Sequence, residues 1–256
     1  MKENIVGKLD SIARGEPLHI LLAVESGSHV WGFASSDSDY DVRIVYMRPP
    51  KYYLTLESHR DSFEYIENQW FDVSGWDIRK ALLLLFKSNA VLLEWLQSPM
   101  VYRQDDIFVT QIRELLPLYA HPALLLYHYR GIARNALQAM DLDGEIRLKK
   151  WFYVLRPLLA ARWVALQGGV PPMTLHELMQ PWDSGAETEI ADLLALKMEK
   201  DESYQHVLSP ALRKLTRNLV DEVAGLRAPN FSQVDIAALD DCFRATLQRV
   251  YGLQGL

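Results

Sequence analysis

Over the first 110 positions, apolar residues fall into short runs and alternations, the pattern of strands interrupted by turns. His19 to Val24 is an apolar run that predicts a buried strand, and Tyr40 to Tyr46 predicts a second by alternation. Between them, Glu25-Ser26-Gly27-Ser28-His29-Val30-Trp31-Gly32-Phe33-Ala34 predicts a tight turn into a short helix, because its small residues permit the bend. Ser62 to Ser74 is a third extended candidate, with a hairpin around Glu67-Asn68. Gly75-Trp76-Asp77 then leads into a helix from Ile78 to Lys87, with Asp77 placed to cap it.

From about Ile112 the period lengthens to that of helices. Leu124, Leu125, His128, Ile132, Ala136 and Met140 recur at spacings of three and four, predicting a helix packed along that stripe. Glu145 to Leu166 predicts a long helix that Pro157 should kink or restart, with Gly168-Gly169 and Pro171-Pro172 ending it. Gln180 to Thr188 reads as a connector, and helices follow at roughly 189–200, 210–226 and 232–251. The chain therefore reads as an α/β front half and an all-helical back half.

Composition narrows the picture. With 27 Lys and Arg against 33 Asp and Glu, the 256-residue chain has a formal charge of −6, which gives no basis for strong sequence-independent binding to nucleic acid. A local basic stripe can still coexist with that total. A 49% hydrophobic and 23% charged composition suits a full apolar core. The single cysteine excludes an internal disulfide and a cysteine-based metal cluster, and the seven histidines show no metal-ligand spacing. No apolar run is long enough to span a bilayer, and Met1-Lys2-Glu3-Asn4 lacks the apolar stretch of a secretory signal. The expected compartment is the cytoplasm, with no membrane partner.

The chemistry concentrates in one segment. On an extended strand Asp39, Asp41 and Arg43 share one face, while Tyr40, Val42, Ile44 and Tyr46 share the other. Two adjacent carboxylates repel unless a cation or water separates them. Mg²⁺ suits such hard oxygen ligands, and a pair of ions about 3.5 to 4 Å apart can clamp the attacking and leaving oxygens of a displacement at phosphorus. Gly27 lets a phosphate approach the backbone, and Ser28 with the amides that follow can donate hydrogen bonds to it. Gly27 and Gly32 have the glycine spacing of a Walker A loop, but Phe33 stands where its lysine belongs. Asp-x-Asp alone equally describes a solvated acidic turn. Its flanking strands and Gly-Ser turn tip the reading toward function.

In order and spacing, Gly27-Ser28 and Asp39-x-Asp41 resemble the signature of the DNA polymerase β-like nucleotidyltransferase superfamily. The stretch from Glu25 to Arg43 is similar, more narrowly, to the predicted nucleotidyltransferases associated with RNA ligases. Gly75 to Leu82, Lys87-Ser88-Asn89 and Glu94-Trp95-Leu96 extend the likeness, although Ala90 stands where proline is expected. A fainter similarity continues through Lys149 to Pro157.

The resemblance implies an α+β fold: a small mixed β-sheet nucleotidyltransferase domain with flanking helices over residues 1–110, then an all-helical domain over 111–256 that closes the nucleotide cleft. It implies transfer of a nucleoside monophosphate from a nucleoside triphosphate to an acceptor hydroxyl, with pyrophosphate released and two Mg²⁺ ions as cofactor. The RNA-ligase association favours an RNA end as acceptor. Asp39 and Asp41 would hold the metals, and Asp72 would add the third carboxylate and general base, with Asp77 as its rival. Gly27 and Ser28 would hold the β- and γ-phosphates, and Lys149, Tyr153 and Arg156, one helical stripe, would close over the nucleotide. That stripe reads equally as a solvated basic face, with Lys150 one step round. Arg43 reads as a phosphate contact or as an ion-pair partner of the acidic cluster. Glu25 stays open between phosphate-turn support and a strand end, and Trp31, Trp76 and Trp95 read as core. The alternative from another class is a non-catalytic nucleotide- or RNA-binding module on the same fold.

Overall fold

The structure is a computed structural model that describes residues 2–35, 37–68, 71–232 and 234–253, apart from the side chains of residues 67 and 68. Two compact units emerge, and neither is continuous in sequence. The first comprises Met1–Ser26, Asp39–Tyr119 and Gln233–Leu256, and the second comprises Gly27–Ser38 and Ala120–Ser232. The sequence had suggested one cut near 110. A composition shift marks where secondary structure changes type, but it carries no information about a terminal helix that returns to the first sheet.

The first unit is built on a five-stranded mixed sheet in the order β3-β4-β2-β1-β5. Its strands are β1 (His19–Ser26), β2 (Tyr40–Met47), β3 (Ser62–Asn68), β4 (Phe71–Asp77) and β5 (Val101–Gln104). β2 runs parallel to β4, and the other neighbours are antiparallel. Glu67 and Asn68, where the sequence predicts the hairpin turn, are the last two residues of strand β3, and residues 69–70 lie outside the described residues. Helix α1 (Lys2–Gly15) lays Ile5, Leu9 and Ile12 against Ile20, Val42, Ile44, Tyr46, Phe71 and Val73. Each aliphatic side chain so buried contributes about 1.5 to 3 kcal/mol. The alternating face of β2 thus has the apolar partner that its pattern requires.

Gly75 has a specific reason for its place in β4. It is the register partner of Ile44, and a Cβ there would lie 2.5 Å from the Ile44 carbonyl oxygen. Helix α2 (Ser28–Trp31) belongs to the second unit. Helices α3 (Ile78–Phe86), α4 (Ala90–Gln97) and α5 (Asp106–Tyr119) complete this part of the first. Asp77 caps α3 as expected, accepting from the Arg79 amide at 2.9 Å.

The second unit continues with α6 (Pro122–Gln138), α7 (Leu148–Gln167), α8 (Leu175–Met179), α9 (Glu187–Glu199) and α10 (Pro210–Gly225). Ile146–Arg147 and Gln205–His206 add a two-stranded pairing. The buried stripe of α6 is Leu125, Leu126, Tyr129 and Ala133. Leu124 and Ile132, from the predicted stripe, are 46% and 40% exposed. Neighbouring stripes differ by one residue and share the same spacing, so periodicity alone does not choose between them. Arg130 helps to set the orientation by donating to the carbonyls of Val223 and Leu226. Pro157 does not interrupt α7. Buried Trp151, Phe152, Val154, Leu155, Leu158 and Leu159 flank it, enough packing to offset a cost of about 3 kcal/mol.

The last helix, α11 (Ala237–Tyr251), packs in the first unit, where Arg249 forms a two-bond ion pair with Asp105 at 2.8 and 2.9 Å. Tyr53 and Phe243 meet edge to face with ring centres 5.2 Å apart. Among the described residues, no helix is long and apolar enough to cross a membrane.

Candidate active site

The strand register brings two of the predicted carboxylates together. Asp41 is the direct partner of Asp72 across the parallel β2–β4 pair and of Ser26 across β1–β2. Strand alternation places Arg43 on the same face as Asp41, and its guanidinium spans the pair. Nη2 donates to Asp41 Oδ1 at 2.5 Å and Nη1 to Asp72 Oδ2 at 3.0 Å. All three side chains are partly open to solvent. Asp72 Oδ1 is buried and accepts no hydrogen bond among the described residues. Burial raises the pKa of Asp41. Arg43 opposes that rise, while the charges of Asp39 and Asp72 add to it. Asp39 sits one residue ahead of β2 and is half-buried.

Glu25 supports this strand from behind. It is fully buried at the end of β1; its Oε1 accepts from the Asp41 amide at 2.9 Å and its Oε2 from the Tyr102 hydroxyl at 2.7 Å. Desolvation pushes its pKa up to about 7 against the pull of these two bonds. Its backbone carbonyl also accepts from Ser98 Oγ at 2.6 Å. Glu25 is thus a positioning residue for the Asp41 backbone. Local sequence carries no strong sign of this role, because the partner Tyr102 lies 77 residues away.

Asp77 stands five register steps from Asp72 along β4, on the opposite strand face. It is 5% exposed, and its carboxylate accepts from the Arg79 amide and, at 2.7 Å, from the Tyr53 hydroxyl. Burial raises its pKa despite both bonds. Helix capping and this tyrosine account for Asp77.

In the second unit, Gly27 adopts φ 69° and ψ −150° immediately before α2, a conformation open essentially to glycine alone. Ser28 is buried, and its carbonyl accepts from the amides of Gly32 and Phe33. Farther along, Lys149 and Tyr153 line a pocket of about 560 Å³ together with Arg147, Lys150, Glu202 and Ser203. Lys149 pairs with Glu202 and lies 5.7 Å from the Tyr153 ring centre. Arg156, the third member of the predicted stripe, is 5% exposed; its Nε donates to the Met173 carbonyl and its guanidinium covers the Trp31 ring at 4.4 Å. Trp31 is only half-buried, as is Trp76, which stacks on buried Trp95.

A buried lysine was not foreseen. Lys197, 3% exposed on α9, donates to Ser35 Oγ at 3.1 Å, and burial lowers its pKa. The Glu202 amide donates to Asp37 Oδ2 at 3.1 Å. The Ser35–Ser38 loop, which leads to Asp39, is thereby tied to residues more than 160 positions later. No local sequence signal announces such a pairing.

Among the described residues, no group of three or more His, Cys, Asp or Glu side chains is gathered closely enough to hold a metal ion. Arg43, a monovalent cation, bridges Asp41 and Asp72. The donor chemistry nonetheless fits a divalent cation, because the oxygens are hard and Asp72 Oδ1 has an unused buried lone pair.

The model of the RNA repair pathway DNA polymerase beta family matches residues 1–245. The chain is 42% identical over 179 residues to the uncharacterized protein YcgL of Bacillus subtilis (strain 168), covering 70% of this chain and 69% of that one. A crystal structure of a nucleotidyltransferase-like protein from Exiguobacterium sibiricum 255-15 aligns over 97% of this chain and 76% of that one, at 10% identity and a TM-score of 0.32. With a match over nearly its whole length, the chain belongs to the RNA repair pathway DNA polymerase beta family.

Proposed function

We propose that this protein is a Mg²⁺-dependent nucleotidyltransferase that moves a nucleoside monophosphate from a nucleoside triphosphate to a hydroxyl on an RNA end, releasing pyrophosphate. The observation that supports this most directly is the register pairing of Asp41 with Asp72 beside an unpartnered Asp72 oxygen. The RNA acceptor rests on the family's description.

Asp39, Asp41 and Asp72 are the proposed metal ligands. When bound, Mg²⁺ would supply Lewis-acid stabilisation of charge at the α-phosphate and at the leaving pyrophosphate. Asp72 is the proposed acceptor of the proton that leaves the attacking hydroxyl. Gly27 and Ser28 are assigned to the β- and γ-phosphates, since Gly27 makes a turn open essentially to glycine, with no side chain to hold a phosphate off the backbone. Lys149 and Tyr153 are assigned to the nucleotide because they line a pocket. Arg156, already committed to Met173 and Trp31, holds that wall rather than the ligand. Arg43 neutralises the carboxylates and must release at least one of them when a divalent ion binds.

The Arg43 bridge also favours a second reading. A site whose carboxylates are already neutralised suits a module that binds nucleotide or RNA without turnover. The deciding experiment incubates the protein with labelled ATP, GTP, CTP or UTP, Mg²⁺ and short RNAs, and measures pyrophosphate. Release of pyrophosphate, lost in Asp41→Asn, supports the enzyme; binding heat without release across these acceptors supports the module.

A further inference from the structure

The first unit carries a concavity away from the carboxylates. It has a volume of about 480 Å³ and lies among the loop that follows β2, the end of β4 and helix α3. Five cationic side chains against three anionic ones line it, a local positive excess in a chain whose total is −6. Part of this charge is already used: Lys80 pairs with Asp61 at 2.9 Å, Arg48 with Glu16 at 3.6 Å, and buried Asp77 serves Tyr53 and Arg79. Arg60, Arg79 and Lys87 remain exposed and carry no ion pair among the described residues. Glu57 is the acidic side chain left to oppose them.

Two further features say what these cations suit. Arg79 and Lys87 are separated by eight positions along α3 and its cap, a distance of about 12 Å at the helical rise. One phosphate cannot reach both, whereas a row of phosphates can. Beside them His59, itself exposed, packs on Tyr52 with ring centres 4.7 Å apart. An exposed ring next to a line of cations is the arrangement that takes an unstacked base and its backbone. A duplex keeps its bases stacked and has no use for the ring.

We infer that this pocket is a docking site for single-stranded RNA, held by Arg60, Arg79 and Lys87 through backbone phosphates and by His59 through a base. The inference deepens the reading of the acceptor as an RNA end. The register distance from Asp41–Asp72 to Tyr46–Asp77 is five residues, about 17 Å along the strands. The pocket is therefore an anchoring site separate from the carboxylates, and it contributes affinity rather than chemistry.

The test needs no transfer, so its failure is separable from failure of the enzymatic reading. The full chain carrying Asp41→Asn is titrated into a fluorescent RNA of about ten nucleotides, and anisotropy is followed over a salt series. Binding is expected to weaken about tenfold in the Arg60→Glu, Arg79→Glu, Lys87→Glu triple variant. The slope of log affinity against log salt should become shallower by about 2, from three lost contacts at about 0.7 each. His59→Ala should weaken RNA but leave inorganic polyphosphate unaffected. Unlabelled RNA should displace the probe far better than AMP or inorganic polyphosphate. Should the triple variant not fold, Arg79→Ala and Lys87→Ala serve singly, each expected to weaken binding about twofold. Unchanged affinity and salt slope in folded variants would overturn the site. Equal displacement by polyphosphate would overturn the RNA assignment and leave a general polyanion pocket.

Discussion

Asp41 and Asp72 face each other across the parallel β2–β4 pair, and the Arg43 guanidinium donates to both. Two like charges side by side would repel without a cation between them. The protein supplies that cation from its own chain, two residues after Asp41. Whatever else enters this face must compete with Arg43.

If metal binding underlies transfer, Asp41→Asn and Asp72→Asn should each lower the rate of pyrophosphate release by at least about 100-fold, since losing even outer supports of a metal site costs 10- to 100-fold. Thermal unfolding should stay close to that of the parent protein, because both side chains are partly solvated. Full activity in either variant would remove these residues from the metal role.

Arg43→Gln tests the competition itself. In that variant Asp41 and Asp72 lose their shared partner, and the metal-free protein should become less stable by about 1 to 3 kcal/mol. Mg²⁺ should recover more of the melting temperature in Arg43→Gln than in the parent. Equal Mg²⁺ responses would show that no ion is held between the two carboxylates.

The Asp105–Arg249 pair gives a pH prediction. Burial alone would raise the Asp105 pKa, but the Phe108 amide and the Arg249 guanidinium hold it below the ordinary 3.8. A depressed carboxyl contributes stability that is present above its unfolded pKa and is lost as pH falls through the lower folded value. Arg249→Gln should therefore cost about 1.5 to 3 kcal/mol near neutral pH. In denaturant titrations at several pH values, the gap from the parent should close as pH drops below about 4. A gap independent of pH would show that the loss comes from packing rather than charge.

Gly75→Ala should be severe. The added methyl would lie 2.5 Å from a backbone oxygen of β2, so β2 and β4 would have to part where the sheet positions Asp41 and Asp72. A loss above about 3 kcal/mol is expected, beyond the usual range of single substitutions. Parent-like melting would mean that the two strands can separate without consequence.

Much of the front half was legible because strand period, cap chemistry and turn residues agree there. Tyr40–Met47 alternates, Asp77 caps the helix it precedes, and Asp72 shares a face with Ser74 as its spacing required. Features set by distant partners were not legible. The α6 stripe turned by one residue because Arg130 binds carbonyls more than 90 positions away. Glu25 took its role from Tyr102, and Lys197 from Ser35. Helix α1 and strand β5 were missed as well. The first does carry an apolar stripe, Ile5, Leu9 and Ile12, at helical spacing, whereas the second is only four residues long, too short for a period to declare itself.

The return of α11 to the first sheet sets an order of events during synthesis. The ribosome must reach about residue 251 before Arg249 meets Asp105 and Phe243 meets Tyr53. A nascent chain bearing every carboxylate of the strand pair therefore waits through more than a hundred further residues before its own unit can close. Loss of α11 would consequently be felt in α3 and α5, which are synthesised long before it.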